Sequence, residues 1–232
     1  MERQVIHQHN AITEARYDIS SLEKNIIYML LLAIKASATT IQKNYYRISL
    51  KELNQRIGFK IKLEELIAAS RSLLSRVYTI IEEDGAELHT SLISSITNIT
   101  DEELEIGVSS MALPYLIFLQ EKYTEFDLDT ALGMDSIYSK RMYEMLSQYR
   151  KAGEISISLE DLKWRLALID SKTGIEKYKA WTNFQKAVLE TPKKELSQKS
   201  DINFTYKTIK TGKKYTHLHF TIIDLKQQSA LK

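Results

Sequence analysis

The chain has 232 residues, 44% of them hydrophobic, no cysteine and a formal net charge of +2. That length supports one large domain or two small ones with packed cores, and the lack of cysteine excludes disulfides, thiolate metal sites and a thiol nucleophile. The opening MERQVIHQHN lacks an apolar stretch of signal-peptide length, and the longest apolar run, Ile26 to Ile34, is too short to span a bilayer, so a soluble cytoplasmic protein without membrane contact is expected.

In chain order, SSLEKNIIYMLLLAIKAS predicts a long core helix, with Leu22, Ile26, Ile27, Leu30, Ala33 and Ile34 on one stripe and Ser20 with Glu23 as a capping box. ISLKELNQRIGF (48 to 59) then predicts a short strand and a helix capped by Ser49 with Glu52 three residues on, ended by Gly58. LEELIAASRSLLSR predicts a third helix with Leu63, Leu66, Ile67, Leu73 and Leu74 inward. Its opposite face carries Glu64, Ala68, Arg71, Ser72 and Ser75, with Arg76 at the margin. Strands follow, turning at Asp84-Gly85, and the polar, β-prone stretch Ser94 to Thr100 predicts an exposed strand open to a partner's sheet.

The second half repeats this order. SIYSKRMYEMLSQYRKAG predicts a core helix with Tyr138, Met142, Met145, Leu146 and Tyr149 on one stripe. ISLEDLKWRLAL (157 to 168) matches 48 to 59 at five of twelve positions, including the cap Ser158, with Asp161 as a weaker box. YKAWTNFQKAVLE predicts a helix burying Trp181, Phe184 and Val188, and Pro192 predicts a kink or break, with Lys193 and Lys194 just beyond it. INFTYKTIKTGKKYTHLHFTII then predicts a hairpin turning near Gly212. Helix, strand, helix, helix, hairpin, twice over, is the winged-helix form of the helix-turn-helix. The expected fold is α+β, two tandem winged-helix domains related by internal duplication. Residues 1–125 are expected to form an N-terminal domain for dimerisation and auxiliary DNA binding, and residues 126–232 a C-terminal domain for the main sequence-specific binding, on the charge and surface arguments that follow.

Charge separates the halves. From Lys177 to Lys214 there are ten lysines against Glu190, Glu195 and Asp201, a local +7 that leaves the rest of the chain at −5 against the total of +2. Such a segment attracts polyanions. Opposite buried Trp181 and Phe184, a helical wheel places Lys179, Asn183, Lys186 and Glu190, flanked by Thr182 and Lys193. Asn pairs with adenine, Lys with guanine or phosphate, and Glu accepts from cytosine, so this stripe has the chemistry of base reading. Lys207, Lys210, Lys213 and Lys214 on the last hairpin would grip phosphates of double-stranded DNA. Viewed singly, each feature is also an ordinary solvated face. The first unit's mixed face, Arg71, Ser72 and Arg76 among it, predicts weak DNA binding or protein pairing.

The segments VIHQHNAITEARYDISSLEKNIIYMLLLAI, SIYSKRMYEMLSQYRKAGEISISLEDLKWRL and YKAWTNFQKAVLETPKKELSQKSDINFTYKTIKTGKKYTHLHFTI resemble the iteron-binding plasmid replication initiators of the Rep type 3 superfamily, over roughly Val5 to Ile223. The resemblance implies two winged-helix domains that bind directly repeated origin sequences as monomers and promote origin opening. It further implies a homodimer in equilibrium with monomer that represses its own promoter, and recruitment of the host initiator and replicative helicase. It places the second recognition helix on Tyr178 to Glu190. The chain ends soon after the final hairpin, so an added C-terminal function is not expected.

Two other functions are weighed. A winged-helix transcriptional regulator without initiator activity would share the same DNA-facing chemistry. A metal-dependent nickase would use His217 and His219 as a His-hydrophobic-His pair, but no tyrosine follows Tyr215, an N-terminal nucleophile would have to be Tyr17, and His7 and His9 fall in an expected flexible arm. The chain is accordingly expected to be no enzyme, with no catalytic residues, metal or cofactor.

Overall fold

The computed structural model describes residues 4–37, 44–116, 122–170 and 172–225. They divide into two compact units, Met1–Gly133 and Met134–Lys232. The division falls after Gly133, where the sequence suggested residue 125, because the strand Tyr123–Asp127 belongs by its pairing to the first unit.

The first unit begins with β1 (Val5–His9), α1 (Asn10–Glu14) and α2 (Ser21–Ala36). His7 and His9 lie on β1 rather than on a flexible arm: β1 pairs antiparallel with the strand Tyr123–Asp127, His7 meets the Glu125 carboxylate at 2.9 Å, and His9 caps α1 through Nδ1. The capping box on α2 is complete, Ser20 N–H donating to Glu23 at 2.5 Å and Glu23 N–H to Ser20 Oγ at 3.2 Å. This helix is buried on nearly every side, including the ammonium of Lys24, which donates to the Tyr17 hydroxyl at 2.9 Å and to Gln8.

Next come β2 (Tyr45–Ser49), α3 (Leu50–Ile57) and α4 (Leu63–Leu74), with Gly58 at φ +77° ending α3 in the left-handed conformation that favours glycine. The hairpin β3 (Tyr78–Ile81) and β4 (Glu87–Thr90) turns at Asp84-Gly85 and is a separate two-stranded sheet. The wing proper is β5 (Ile93–Thr100) and β6 (Glu103–Val108), because β6 pairs with both β2 and β5, giving the order β2-β6-β5. The stretch Ser94 to Thr100 is therefore an exposed edge strand. The unit closes with α5 (Leu113–Leu116), β7 (Tyr123–Asp127) and α6 (Leu128–Leu132).

The second unit runs α7 (Ile137–Gln148), β8 (Glu154–Ser158), α8 (Leu159–Arg165) and α9 (Trp181–Phe184), then a π-helical segment (Gln185–Glu190), α10 (Thr191–Lys199), β9 (Ile202–Thr211) and β10 (Lys214–Asp224). Its sheet order, β8-β10-β9, is that of the first unit, so the duplication seen in the sequence is a duplication of topology. Ser49 and Ser158 cap their helices as expected, at 3.2 and 2.9 Å. Glu52 and Asp161, expected to complete capping boxes, instead turn forward onto the arginine four residues on, Glu52 to Arg56 at 2.8 Å and Asp161 to Arg165 at 2.9 Å. This pair explains why arginine coincides in the two copies.

Charged groups also tie the second unit together. Arg150 bridges Asp201 at 2.8 Å and Asp224 at 2.7 Å, and the hydrogen bonds to both carboxylates hold its guanidinium firmly charged. The Glu195 carboxylate on α10 accepts from the backbone N–H of Asp135 and Ser136 ahead of α7.

Candidate nucleic-acid interface

In the second unit the helix following the turn starts at Trp181, with Ala180 as its N-cap, so Tyr178 and Lys179 precede it rather than belong to it. Phe184, Val188, Leu189, Pro192 and Leu196 are buried, and Thr182, Asn183, Lys186, Glu190 and Lys194 are exposed, with Lys193 half-buried. Trp181 is half-exposed and stacks on Tyr215 of β10, ring centroids 4.3 Å apart.

Pro192 does not break this helix. Its ring would clash with the preceding turn of an α-helix. The chain answers by widening: Thr191 N–H bonds to the carbonyl of Lys186, five residues back, and the Thr191 hydroxyl donates to the same oxygen at 2.9 Å. Helical backbone runs on through Glu190 into α10, carrying Lys193 and Lys194 with it.

The wing has two faces. Cross-strand partners share a face. Tyr206 with Phe220, Thr208 with Leu218, and Lys210 with Tyr215 form the side that holds the buried Leu218 and Phe220. Lys207 with His219, Ile209 with His217, and Thr211 with Lys214 form the other. The register shift between Tyr215 and His217 leaves Thr216 as an extra residue, and this bulge turns Tyr215 onto the same side as Leu218 and Phe220. The Lys210 ammonium lies over the Tyr215 ring at 4.5 Å. The wing lysines therefore do not form one surface: Lys210 is on the helix side, Lys207 and Lys214 are on the other, and Lys213 is in the exposed turn. Because β8 pairs only with His217–Thr221, the hairpin from Lys210 to Thr216 extends past the end of β8.

The first unit differs at the same place. Its wing turn, Asp101 and Glu102, sits level with the end of β2, since Ser49 pairs with Glu103. It neither projects nor carries positive charge. On α4, Arg71 is exposed and Ser72 half-buried, Leu74 is exposed rather than inward, and buried Ser70 continues the stripe of Leu66 and Leu73. Arg76 is not a free cation: its guanidinium is 2.9 Å from Glu23 on α2.

Sequence reading missed Gln185 and Tyr206. The Tyr206 hydroxyl donates to Glu190 at 2.5 Å and accepts from Gln185 Nε2 at 2.8 Å, so Glu190, expected to read a base, is held by the wing. Burial, followed by the neighbouring Glu190 carboxylate, pushes the Tyr206 phenol up to about 12. Alternation along its strand would place Tyr215 opposite Leu218 and Phe220; only the bulge at Thr216 brings it to their side.

Two residues of the nickase reading, His219 and Tyr17, are engaged in structural contacts. The His219 ring meets Ser156 Oγ at 2.8 Å and Glu154 at 3.4 Å, and Tyr17 is buried against Tyr78. No group of three or more metal-ligating side chains assembles among the described residues, and none of the helices described is long and apolar enough to cross a membrane.

Similarity to known proteins converges on this architecture. Residues 5–147 match the family described as initiator replication protein, WH1, and residues 158–222 match initiator Rep protein, WH2. The PI protein of Escherichia coli is 27% identical over 218 residues, covering 87% of this chain and 71% of that protein. The crystal structure of Pi initiator protein in complex with iteron DNA superposes with a TM-score of 0.78 at 19% identity, covering 95% of this chain and 97% of that one. Domains 2 and 3 of RctB superpose with a TM-score of 0.51 at 10% identity, covering 86% of this chain and 81% of that one. With both winged-helix units matched in order, the chain belongs to the family of initiator replication proteins.

Proposed function

We propose that this initiator binds directly repeated duplex sequences at a plasmid origin, reading bases with the second unit. The observation that supports this is the pairing of an exposed Thr182, Asn183 and Lys186 face with a projecting wing whose tip carries Lys213 and Lys214, joined by the Trp181–Tyr215 stack. The major groove admits a helix, and there Asn and Lys would distinguish base edges while wing lysines neutralise flanking phosphates. The first unit, with an acidic wing turn and Arg76 committed to Glu23, takes the smaller share of binding. Its open strand β5 offers an edge for self-pairing, in keeping with a dimer that exchanges with monomer and represses its own promoter. Recruitment of the host initiator and replicative helicase, and the absence of DNA cutting, belong to the same reading.

The test is to select bound duplexes from a random-sequence pool and compare the selected site with DNA beside the coding region. Tandem copies at a constant helical spacing support initiation. A selected site found only once, at a promoter, favours a plain regulator. Binding whose log-log salt slope is near zero removes the DNA reading altogether.

A further inference from the structure

The π-helical segment begins and ends on the two residues that hold Tyr206. On an α-helix Gln185 and Glu190, five residues apart, would point about 140° away from each other. In a π turn the hydrogen bonds run from each residue to the fifth along, which brings residues at that spacing back to one side. Both side chains thereby reach one phenol, which uses its proton on Glu190 Oε1 at 2.5 Å and a lone pair on Gln185 Nε2 at 2.8 Å. Pro192 and Thr191 lock the widened turn from the C-terminal side, and Trp181 against Tyr215 anchors the helix at its start.

We propose that Tyr206 is a specificity-determining positioning residue, which holds the widened turn in register so that Lys186 within it and Asn183 just ahead of it meet the same stretch of groove. This rests on the reading above that the Thr182–Lys186 face contacts bases. Glu190 in this role is a handle for the wing and leaves the bases to its neighbours.

Binding of wild type, Tyr206→Phe and Glu190→Gln to the duplex repeat selected by the wild-type protein, and to a scrambled duplex, tests the proposal. Tyr206→Phe keeps the ring that packs against Phe204 and Phe220, and removes only the hydroxyl. It should lower the cognate-to-scrambled ratio about tenfold, with scrambled affinity and salt slope unchanged. Glu190→Gln still offers an acceptor and should retain most of the ratio. An unchanged ratio in Tyr206→Phe, or a loss in Glu190→Gln as large as that in Tyr206→Phe, overturns the proposal; the second result makes Glu190 a base reader. Hydrogen exchange of the DNA-free protein gives an independent readout. Faster exchange of the amides from Gln185 to Thr191 in Tyr206→Phe supports the lock, and unchanged protection refutes it. Should the wild-type protein select no sequence while its exchange pattern responds to Tyr206→Phe, the DNA-reading assignment has failed and the specificity claim with it, although the lock itself stands.

Discussion

Arg76 Nε lies 2.9 Å from Glu23 Oε1, joining the chain just past the C-cap of α4 to the capping box of α2. Burial pushes the Glu23 carboxyl up, but the Arg76 bond, helped by Ser20 and Ser72, outweighs it and holds the group below the ordinary value of 4.5. Arg76→Ala strands a buried carboxylate and should cost about 1–3 kcal/mol of stability. The salt slope for DNA should not change. Urea unfolding alongside a salt titration separates these effects, and a shallower salt slope at unchanged stability would return Arg76 to the DNA surface.

The same pair sets a pH dependence. A carboxyl whose folded value is depressed contributes stability above its unfolded value and loses it as pH falls through the folded one. As pH falls below the ordinary carboxyl value, wild type should therefore lose more stability than Arg76→Ala, whose Glu23 keeps only its serine hydrogen bonds. Parallel denaturation curves at several pH values check this; equal losses would show that the pair is not the acid-sensitive element.

Asn183→Ala removes a paired amide hydrogen-bonding group and no charge. It should weaken binding to the selected repeat by about 1–3 kcal/mol and hardly affect scrambled DNA. Competition between the two duplexes, with circular dichroism to verify folding, reads this out. An intact preference would mean that another element reads the bases.

Replacing Lys213 and Lys214 with Ala should weaken selected and scrambled duplexes alike and reduce the log-log salt slope by about 0.9 for each phosphate that is no longer neutralised. Weakening confined to the selected site would make the wing turn a reader of sequence. Lys207→Ala, on the face away from Tyr215 and Trp181, should have the smaller effect of the two variants.

Incubated with supercoiled plasmid and Mg²⁺ or Mn²⁺, the protein should leave it closed. Tyr17 is buried at 4% exposure with its hydroxyl bound to Lys24, which removes it from attack on a phosphodiester. Nicked circles bearing covalently attached protein, abolished by His217→Ala, would establish a nickase instead.

Local chemistry made much of this protein legible in one dimension. Ser20, Ser49 and Ser158 announce helix starts because a free amide needs an acceptor within three residues, Gly58 announces an end because only glycine adopts a positive φ without strain, and the repeat of ISL…L…R announces two copies of one unit. The charge bias toward the C-terminal unit needs only counting. What the sequence left open depends on partners distant along the chain. Arg76 looked like a candidate DNA contact until Glu23, far upstream, was placed beside it. Glu190 looked like a base reader until the wing returned Tyr206 to it. The widened turn ahead of Pro192 escaped a helical wheel that assumes one constant angle per residue. The bulge at Thr216, which decides which wing residues face the helix, follows from pairing with β9 rather than from β10 alone. Periodicity and caps are set by neighbours within one turn, whereas side-chain direction at the interface is set by contacts that exist only once the chain has closed on itself.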